Sequence, residues 1–78
     1  MTRKLIDDSV RDTLEAYLAD LGDEATPERL YDMVVQAAER PLLELVMQRT
    51  QGNQSRAADW LGINRNTLRR KLLDHRLL

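Results

Sequence analysis

The sequence predicts an all-α domain of four helices, the last two of which form a helix-turn-helix. Among its 78 residues are only three glycines and two prolines, which leaves few interruptions of regular structure. Two long segments, 10–21 and 30–47, carry apolar residues at helical spacing or in a nearly continuous run. Two shorter segments near the end are separated by Gly62-Ile63-Asn64, the length of the turn in a helix-turn-helix.

The first helix is predicted to follow Asp7-Asp8-Ser9, since these side chains can cap a helix and the acids suit the positive end of its dipole. Gly22 is placed where a left-handed residue ends a helix. One face of this helix is apolar, formed by Val10, Leu14, Tyr17, Leu18 and Leu21.

The second helix is predicted to begin at Thr26-Pro27-Glu28, a capping hydroxyl followed by a proline in the first turn. From Leu30 to Met47, twelve of eighteen residues are apolar, far more than the stripe of ~100° that one packed face requires. So short a chain cannot cover this surface alone, and we therefore expect a homodimer with a shared core. Seven residues are assigned to that dimer core: Leu30, Val34, Ala38, Pro41, Leu42, Leu45 and Val46.

Pro41 lies inside this second helical pattern. A proline removes one backbone hydrogen bond and its ring clashes with the carbonyl four residues earlier. The sequence leaves two outcomes open here, a kink in one helix or a division into two.

Composition excludes several classes of protein. There is no cysteine, and His75 is the single histidine, which removes disulfides, thiolate metal sites and most histidine-based chemistry. No catalytic grouping, metal-ligand set or phosphate-binding glycine loop is present. We expect no enzyme activity, no cofactor, no metal and no small-molecule ligand. No apolar run reaches the ~18 residues of a membrane span, so a cytoplasmic protein without a membrane partner is expected.

Charge is distributed unevenly along the chain. Residues 1–46 contain five basic and eleven acidic side chains, a net charge of −6, whereas residues 47–78 contain seven basic and two acidic ones, a net charge of +5. Such asymmetry points to a polyanionic partner for the basic end. The alternative is two solvated helical faces of opposite sign.

The basic end contains the predicted helix-turn-helix. A short third helix, 54–61, is capped by Asn53, and a fourth begins near Arg65, capped by Asn64. Two small residues, Ala57 and Ala58, stand where the third helix must meet the fourth. Four larger apolar residues are expected to form the contact between the two helices: Leu61, Ile63, Leu68 and Leu72.

The start of the fourth helix has the composition of a DNA-recognition helix. Arginine and asparagine can each bond two groups on a base edge, while flanking basic and hydroxyl side chains hold phosphates. Tyr17 and Tyr31 fall on apolar faces and are expected in the core, and Trp60 is given no role. Proteins that bind single-stranded nucleic acid rely on aromatic side chains that stack on the bases. Duplex DNA is therefore the predicted partner. The polar set is Asn64, Arg65, Asn66, Thr67, Arg69, Arg70 and Lys71.

These residues resemble the Fis family of bacterial nucleoid-associated proteins, which bind and bend DNA. The resemblance runs from about Lys4 to Leu72 and includes the proline of the long helix. The helix-turn-helix part alone is also similar to the C-terminal domain of NtrC-type activators. The most specific stretches are Arg40-Pro41-Leu42-Leu43, Val46-Met47-Gln48, Gly52-Asn53-Gln54-Ser55-Arg56-Ala57-Ala58, Gly62-Ile63-Asn64-Arg65 and Thr67-Leu68-Arg69.

The resemblance implies a homodimer whose first two helices interlock and whose fourth helices enter successive major grooves of bent DNA. It makes Arg65 the arginine that reads a base edge and Asn64 its capping and groove-contacting neighbour. The resemblance also implies a role in transcription regulation, with RNA polymerase as a candidate partner and the bacterial nucleoid as the location. The residues implied to contact or face the phosphate backbone are Asn53, Gln54, Ser55, Arg56, Thr67, Arg69, Arg70 and Lys71.

The sequence departs from enteric Fis in several places. Ser55 replaces a threonine and keeps the hydroxyl, while Asn66 stands where enteric members have glycine, which adds a possible contact. Enteric members carry an N-terminal arm that contacts invertases; here about six residues precede the predicted first helix, so stimulation of DNA inversion is not expected. The segment 73–76 is less basic than in enteric members, which predicts a shallower salt dependence. His75 is expected to be an ordinary surface histidine.

The sequence therefore predicts a single domain, 1–78. Residues 1–50 are assigned to dimerisation, with the second helix kinked near Pro41, and residues 53–74 to the helix-turn-helix, whose recognition helix is 65–74. Two alternatives remain: a helical dimerisation or adaptor module whose basic end binds an acidic protein surface, and an isolated DNA-binding domain of an NtrC-type activator.

Overall fold

The computed structural model describes residues 3–23 and 26–78. They form four helices: α1 (Arg3–Leu21), α2 (Leu30–Arg49), α3 (Gln54–Leu61) and α4 (Arg65–Asp74). No strand occurs in these two ranges, and the predicted all-α fold of four helices is confirmed. Residues 1, 2, 24 and 25 of the predicted dimerisation segment lie outside the described residues.

The predicted start of the first helix was wrong. Helix α1 begins at Arg3, so Asp7, Asp8 and Ser9 lie inside it. Nothing in the preceding residues prevents a helix, and exposed aspartates tolerate an interior position at small cost. Gly22 does follow the helix in the left-handed conformation, with a φ of 82°, as predicted.

The predicted start of the second helix was also wrong. Arg29 has a φ of 54°, which a right-handed helix cannot contain, and α2 begins at the next residue, Leu30. From there α2 continues through Pro41 to Arg49. Of the two outcomes that the sequence left open, division into two helices is therefore excluded.

Two compact units make up the chain, Met1–Leu30 and Tyr31–Leu78. The first contains α1, which has no buried residue. In the second, α2 belongs with α3 and α4, so residue 50 is not a boundary between compact units. The separate roles assigned to residues 1–50 and 53–74 stay a prediction.

The core of the second unit lies where the C-terminal half of α2 meets α3 and α4. Leu43 is the one buried residue of α2, at 1% exposure. It is surrounded by small and large apolar residues of the following helices, and partly buried side chains extend the cluster. The buried residues are Leu43, Ala57, Ala58, Leu68 and Leu72, and those packed against them are Val46, Met47, Leu61, Ile63 and Leu77.

Much apolar surface of α1 and α2 is exposed in the single chain. Leu42 and Leu45 of the predicted dimer core are 50% and 54% exposed. Of the two tyrosines expected in a core, Tyr17 is 37% and Tyr31 84% exposed. None of the seven predicted dimer-core residues is buried in the described structure, and their assignment to a dimer core stays a prediction. Despite this apolar surface, the described helices include none whose length and hydropathy suit a membrane crossing.

Candidate nucleic-acid interface

The turn between α2 and α3 sets the direction of α3. Thr50 is buried and its hydroxyl donates to the Val46 carbonyl at 2.8 Å. Gln51 and Gly52 then have φ values of 56° and 80°, and the Gly52 amide returns to the Met47 carbonyl at 2.9 Å. Two successive left-handed residues reverse the chain, so that α3 starts close to the end of α2.

Asn53 caps α3, as the sequence predicted. Its Oδ1 accepts a hydrogen bond from the backbone amide of Arg56 at 3.0 Å. This bond satisfies one of the four amides that a helix start leaves without a helical partner.

Gly62 ends α3 and turns the chain towards α4. Its φ of 72° is left-handed, a conformation that costs glycine little. The Ile63 amide donates to the Ala58 carbonyl at 3.1 Å and the Gly62 amide to the Asp59 carbonyl at 3.3 Å, which is the Schellman arrangement. Asn64 then caps α4 through a bond of 2.7 Å from the Asn66 amide to its Oδ1.

Small buried side chains allow α3 and α4 to pack closely. Ala57 is 0% and Ala58 4% exposed, and both belong to one cluster with Leu68 and Leu72 of α4. Larger residues at these two positions would separate the helices. This packing fixes the helix-turn-helix that the spacing predicted.

The starts of α3 and α4 open onto one polar concavity. Arg65 spans it, because its Nη1 donates to the Ser55 hydroxyl at 3.3 Å. All but one of the lining residues belong to the predicted DNA-binding set, the exception being Gly52. The lining consists of Gly52, Asn53, Gln54 and Ser55 from the start of α3, and of Arg65, Asn66 and Arg69 from α4.

The remaining members of the predicted set lie outside this concavity. The Arg56 guanidinium lies 6.0 Å from the centroid of the Trp60 ring, the limit of a cation–π contact. Arg70 is exposed and Thr67 half-buried, while Asn64 is the cap of α4.

The sequence of the second unit matches a known family. Residues 35–75 fit the model of the bacterial regulatory proteins of the Fis family. A protein of Ralstonia nicotianae described as Fis-like is 58% identical over 78 residues, which is 100% of both chains. The chain belongs to the Fis family. The resemblance predicted from the sequence is thereby confirmed.

Two further Fis-family relatives carry the name "DNA-binding protein Fis". That of Psychromonas ingrahamii is 49% identical and that of Vibrio cholerae 50% identical, each over 72 residues. These alignments cover 92% of this chain and 72% of each relative. The Fis-family segment 35–75 includes every residue of the predicted DNA-binding set.

Within that Fis-family segment, Lys71 has a protein partner. Its Nζ lies 2.8 Å from Oε2 of Glu39 in α2, and its side chain is 33% exposed. The same carboxylate reaches His75, whose Nε2 lies 2.8 Å from Oε1. Lys71 is thus joined to α2, whereas the arginines of the concavity line open space.

The expectation of a surface histidine at position 75 was wrong. The His75 side chain is only 8% exposed, because it packs against α2, where the Glu39 carboxylate is its partner. Its backbone carbonyl also accepts a bond from the Arg40 guanidinium. The cluster of Glu39, Lys71 and His75 was not predicted from the sequence. One signal for it existed, because Lys71 and His75 are four residues apart and would share one face of a helix.

The cluster determines the acidity of Glu39. The hydrogen bond from Lys71 is the largest influence and lowers the pKa of the carboxyl below its ordinary value of 4.5. Partial burial acts in the opposite direction, and the hydrogen bond with His75 lowers the pKa further. Glu39 is therefore a carboxylate at neutral pH.

Proposed function

We propose that this Fis-family protein is a homodimer that binds and bends duplex DNA, and that it acts as a nucleoid-associated protein and transcription regulator. The observation that carries the proposal is the polar concavity in which Arg65, Asn66 and Arg69 stand opposite the start of α3. This arrangement supports the proposal because side chains able to read base edges and side chains able to bind phosphates then lie on one side of a helix-turn-helix.

The electrostatics of the concavity suit a phosphate backbone. The starts of α3 and α4 bring backbone amides and the positive ends of two helix dipoles to one place. Arg65 and Arg69 add full positive charges, and Asn53, Gln54 and Ser55 add polar side chains that can contact phosphate oxygens. An arginine at the first position of a recognition helix can also reach the two acceptors of guanine in the major groove.

The relatives support the same partner. Two proteins about half identical to this chain are named DNA-binding proteins, and the alignments extend well beyond the helix-turn-helix. An origin as the isolated domain of an NtrC-type activator is disfavoured by that length. The arginines of the concavity would suit an acidic protein surface as well, and the names of the relatives favour DNA over an adaptor role.

The exposed apolar surface supports a second copy as partner. Helix α1 has no buried residue, and α2 has one. Leu5, Ile6 and Leu45 are all more than half exposed, an arrangement that a small domain sustains only if another chain covers it. We therefore assign α1 and α2 to a core shared between two subunits.

Bending follows from the proposed dimer. Two subunits present two α4 helices, and the family resemblance implies that these lie closer together than one turn of B-DNA. Both can enter major grooves only if the duplex curves, and the deformability of the sequence then contributes to site choice. Selectivity is accordingly low. The family resemblance further suggests RNA polymerase as a protein partner and the bacterial nucleoid as the location.

A mobility-shift titration tests DNA binding. We expect the protein to retard a duplex of mixed sequence at low salt, and its affinity to fall steeply between about 50 and 200 mM salt as counterions are released. A single strand of the same length is the control, and weaker binding to it is expected because the proposal places α4 in the major groove of a duplex. A duplex that is not retarded at low salt would contradict the proposal.

Fluorescence transfer between dyes at the two ends of a short duplex tests bending. Binding should raise the transfer efficiency, because curvature shortens the distance between the ends. The control is a duplex with a nick at its centre, which bends at lower cost and should bind more tightly. Retardation without any change in transfer would preserve DNA binding and refute bending.

A further inference from the structure

The carboxylate of Glu39 connects α2 to the end of α4 at two points. Oε2 lies 2.8 Å from the Lys71 ammonium and Oε1 lies 2.8 Å from Nε2 of His75. The side chain of Glu39 is 17% exposed and that of His75 8% exposed. Because Lys71 lies in the last turn of α4 and His75 directly follows the helix, a single carboxylate of α2 contacts the C-terminal end of α4 at two points.

A neighbouring residue of α2 adds a third link. The Arg40 guanidinium donates to the backbone carbonyl of His75, the residue that caps the C-terminal end of α4. Two consecutive residues of α2 therefore hold the same end of the recognition helix. The opposite end carries Arg65, which faces the DNA-binding concavity.

A small tilt of α4 about its C-terminal end would displace its N-terminal end, because the helix is long. Arg65 and His75 are ten residues apart, which corresponds to about 15 Å along a helix. A tilt of roughly 5° about the held end would move the backbone at Arg65 by about 1 Å. Base contacts require side chains to be placed within about 0.5 Å, so the direction of α4 matters for recognition.

We infer that Glu39 is a positioning residue for DNA recognition: through Lys71 and His75 it sets the direction of α4, and Lys71 serves this link instead of a phosphate. The inference rests on the proposed function. It differs from the family expectation, in which Lys71 contacts or faces the phosphate backbone. It also gives a role to His75, the one histidine of the chain.

The first experiment compares Glu39→Gln with Asp12→Asn. Both replacements remove one negative charge, but Asp12 is an exposed residue of α1 and takes part in none of the three links between α2 and the end of α4. For each protein we would measure the affinity for a preferred duplex, selected from a random pool, and for a scrambled duplex of equal length. The ratio of the two affinities should fall roughly tenfold in Glu39→Gln, since Arg65 loses its place on the base edge. The ratio should not change in Asp12→Asn.

This ratio separates positioning from stability. A variant that is only less stable has less folded protein, which weakens binding to both duplexes equally and leaves the ratio as it was. An unchanged ratio in Glu39→Gln would overturn the inference. So would tighter binding to both duplexes with a steeper salt dependence, because that result means that Glu39 had been withholding Lys71 from DNA.

The second experiment keeps the inference testable should Glu39→Gln fail to fold. It compares Lys71→Met with Arg69→Met, since Arg69 lines the concavity. Loss of one phosphate contact lowers the slope of log affinity against log salt by ~0.9. We expect that decrease in Arg69→Met, and in Lys71→Met an unchanged slope with a lower affinity ratio. A decrease of ~0.9 in Lys71→Met would overturn the inference.

Binding by the native protein separates a failure of the proposed function from a failure of the inference about Glu39. If it retards no duplex at low salt, the proposed function is refuted and the inference with it. If it binds duplex DNA while Glu39→Gln keeps the native affinity ratio, the inference alone is refuted.

Discussion

The guanidinium of Arg65 donates from Nη1 to the hydroxyl of Ser55, 3.3 Å away, and so links the first turn of α4 to the first turn of α3. The bond restrains a long side chain at the mouth of the concavity. Less side-chain entropy is then lost when the arginine meets a base edge. Ser55 therefore has a use in the free protein as well as in the proposed contact with phosphate.

Arg65→Ala should weaken binding to a preferred duplex by about 1–3 kcal/mol, roughly five- to 150-fold, because a bidentate base contact is lost. Competition mobility shifts with duplexes changed at single positions would measure it, and discrimination should be lost at the contacted base. Arg3→Ala is the matched control, since Arg3 is an exposed arginine of α1 outside the proposed interface. Equal losses in the two variants would show that Arg65 acts only through its charge.

Leu68→Ala should lower the free energy of unfolding by about 2–5 kcal/mol, because it leaves a cavity between α3 and α4. Leu68 is 0% exposed. Leu73→Ala, on the same helix at a position that is 52% exposed, should change the free energy by less than about 1 kcal/mol. Urea unfolding followed by circular dichroism, at one fixed protein concentration, measures both. Similar losses at the two positions would contradict the place of Leu68 in the core between α3 and α4.

Leu45→Glu tests the proposed shared core. Leu45 is 54% exposed in one subunit, and glutamate is a good helix former, so an isolated chain should tolerate the change. In a dimer whose interface and core are one surface, the buried charge should unfold the chain. We expect loss of helical circular dichroism in Leu45→Glu, and a native dimer in sedimentation of Leu73→Glu. A folded, soluble monomer of Leu45→Glu would refute the shared core.

The cluster around Glu39 predicts a loss of stability in acid. The pKa of Glu39 is lower in the folded chain than its ordinary value of 4.5, so the unfolded state binds the proton more readily. The contribution of this group is complete above about pH 4.5 and is lost as the pH falls through the lowered value. The groups that face the carboxylate are Lys71 and His75.

A comparison with Glu39→Gln isolates this contribution from that of the other carboxyls. The native protein should be the more stable at pH 7, and the difference in unfolding free energy should shrink as the pH falls below about 4.5. Asp12→Asn, at an exposed position of α1, corrects for the change in net charge. A difference that is constant with pH would mean that the ionised carboxylate does not stabilise the fold.

The helix-turn-helix was predictable because short-range chemistry determines it. Asn53 and Asn64 cap helices with their own side chains, and Gly62 adopts a conformation that other residues avoid. These effects act over a few residues, and the predicted third helix, 54–61, agrees with α3. The starts of α1 and α2 were predicted wrongly because several residues there could cap or continue a helix equally well, and the left-handed backbone at Arg29 has no signature in side-chain type.

By itself, the amino-acid sequence determined the four helices, the N-terminal caps of the last two, the family and the surplus of apolar residues in the first two helices, because periodicity and composition are local properties. Only the tertiary structure decided that α2 runs unbroken through Pro41, that His75 is buried, and that Glu39 holds Lys71. Glu39 and Lys71 are thirty-two residues apart in the chain. The contact between their side chains depends on how α4 packs on α2. Local sequence patterns span only a few residues and do not determine that packing.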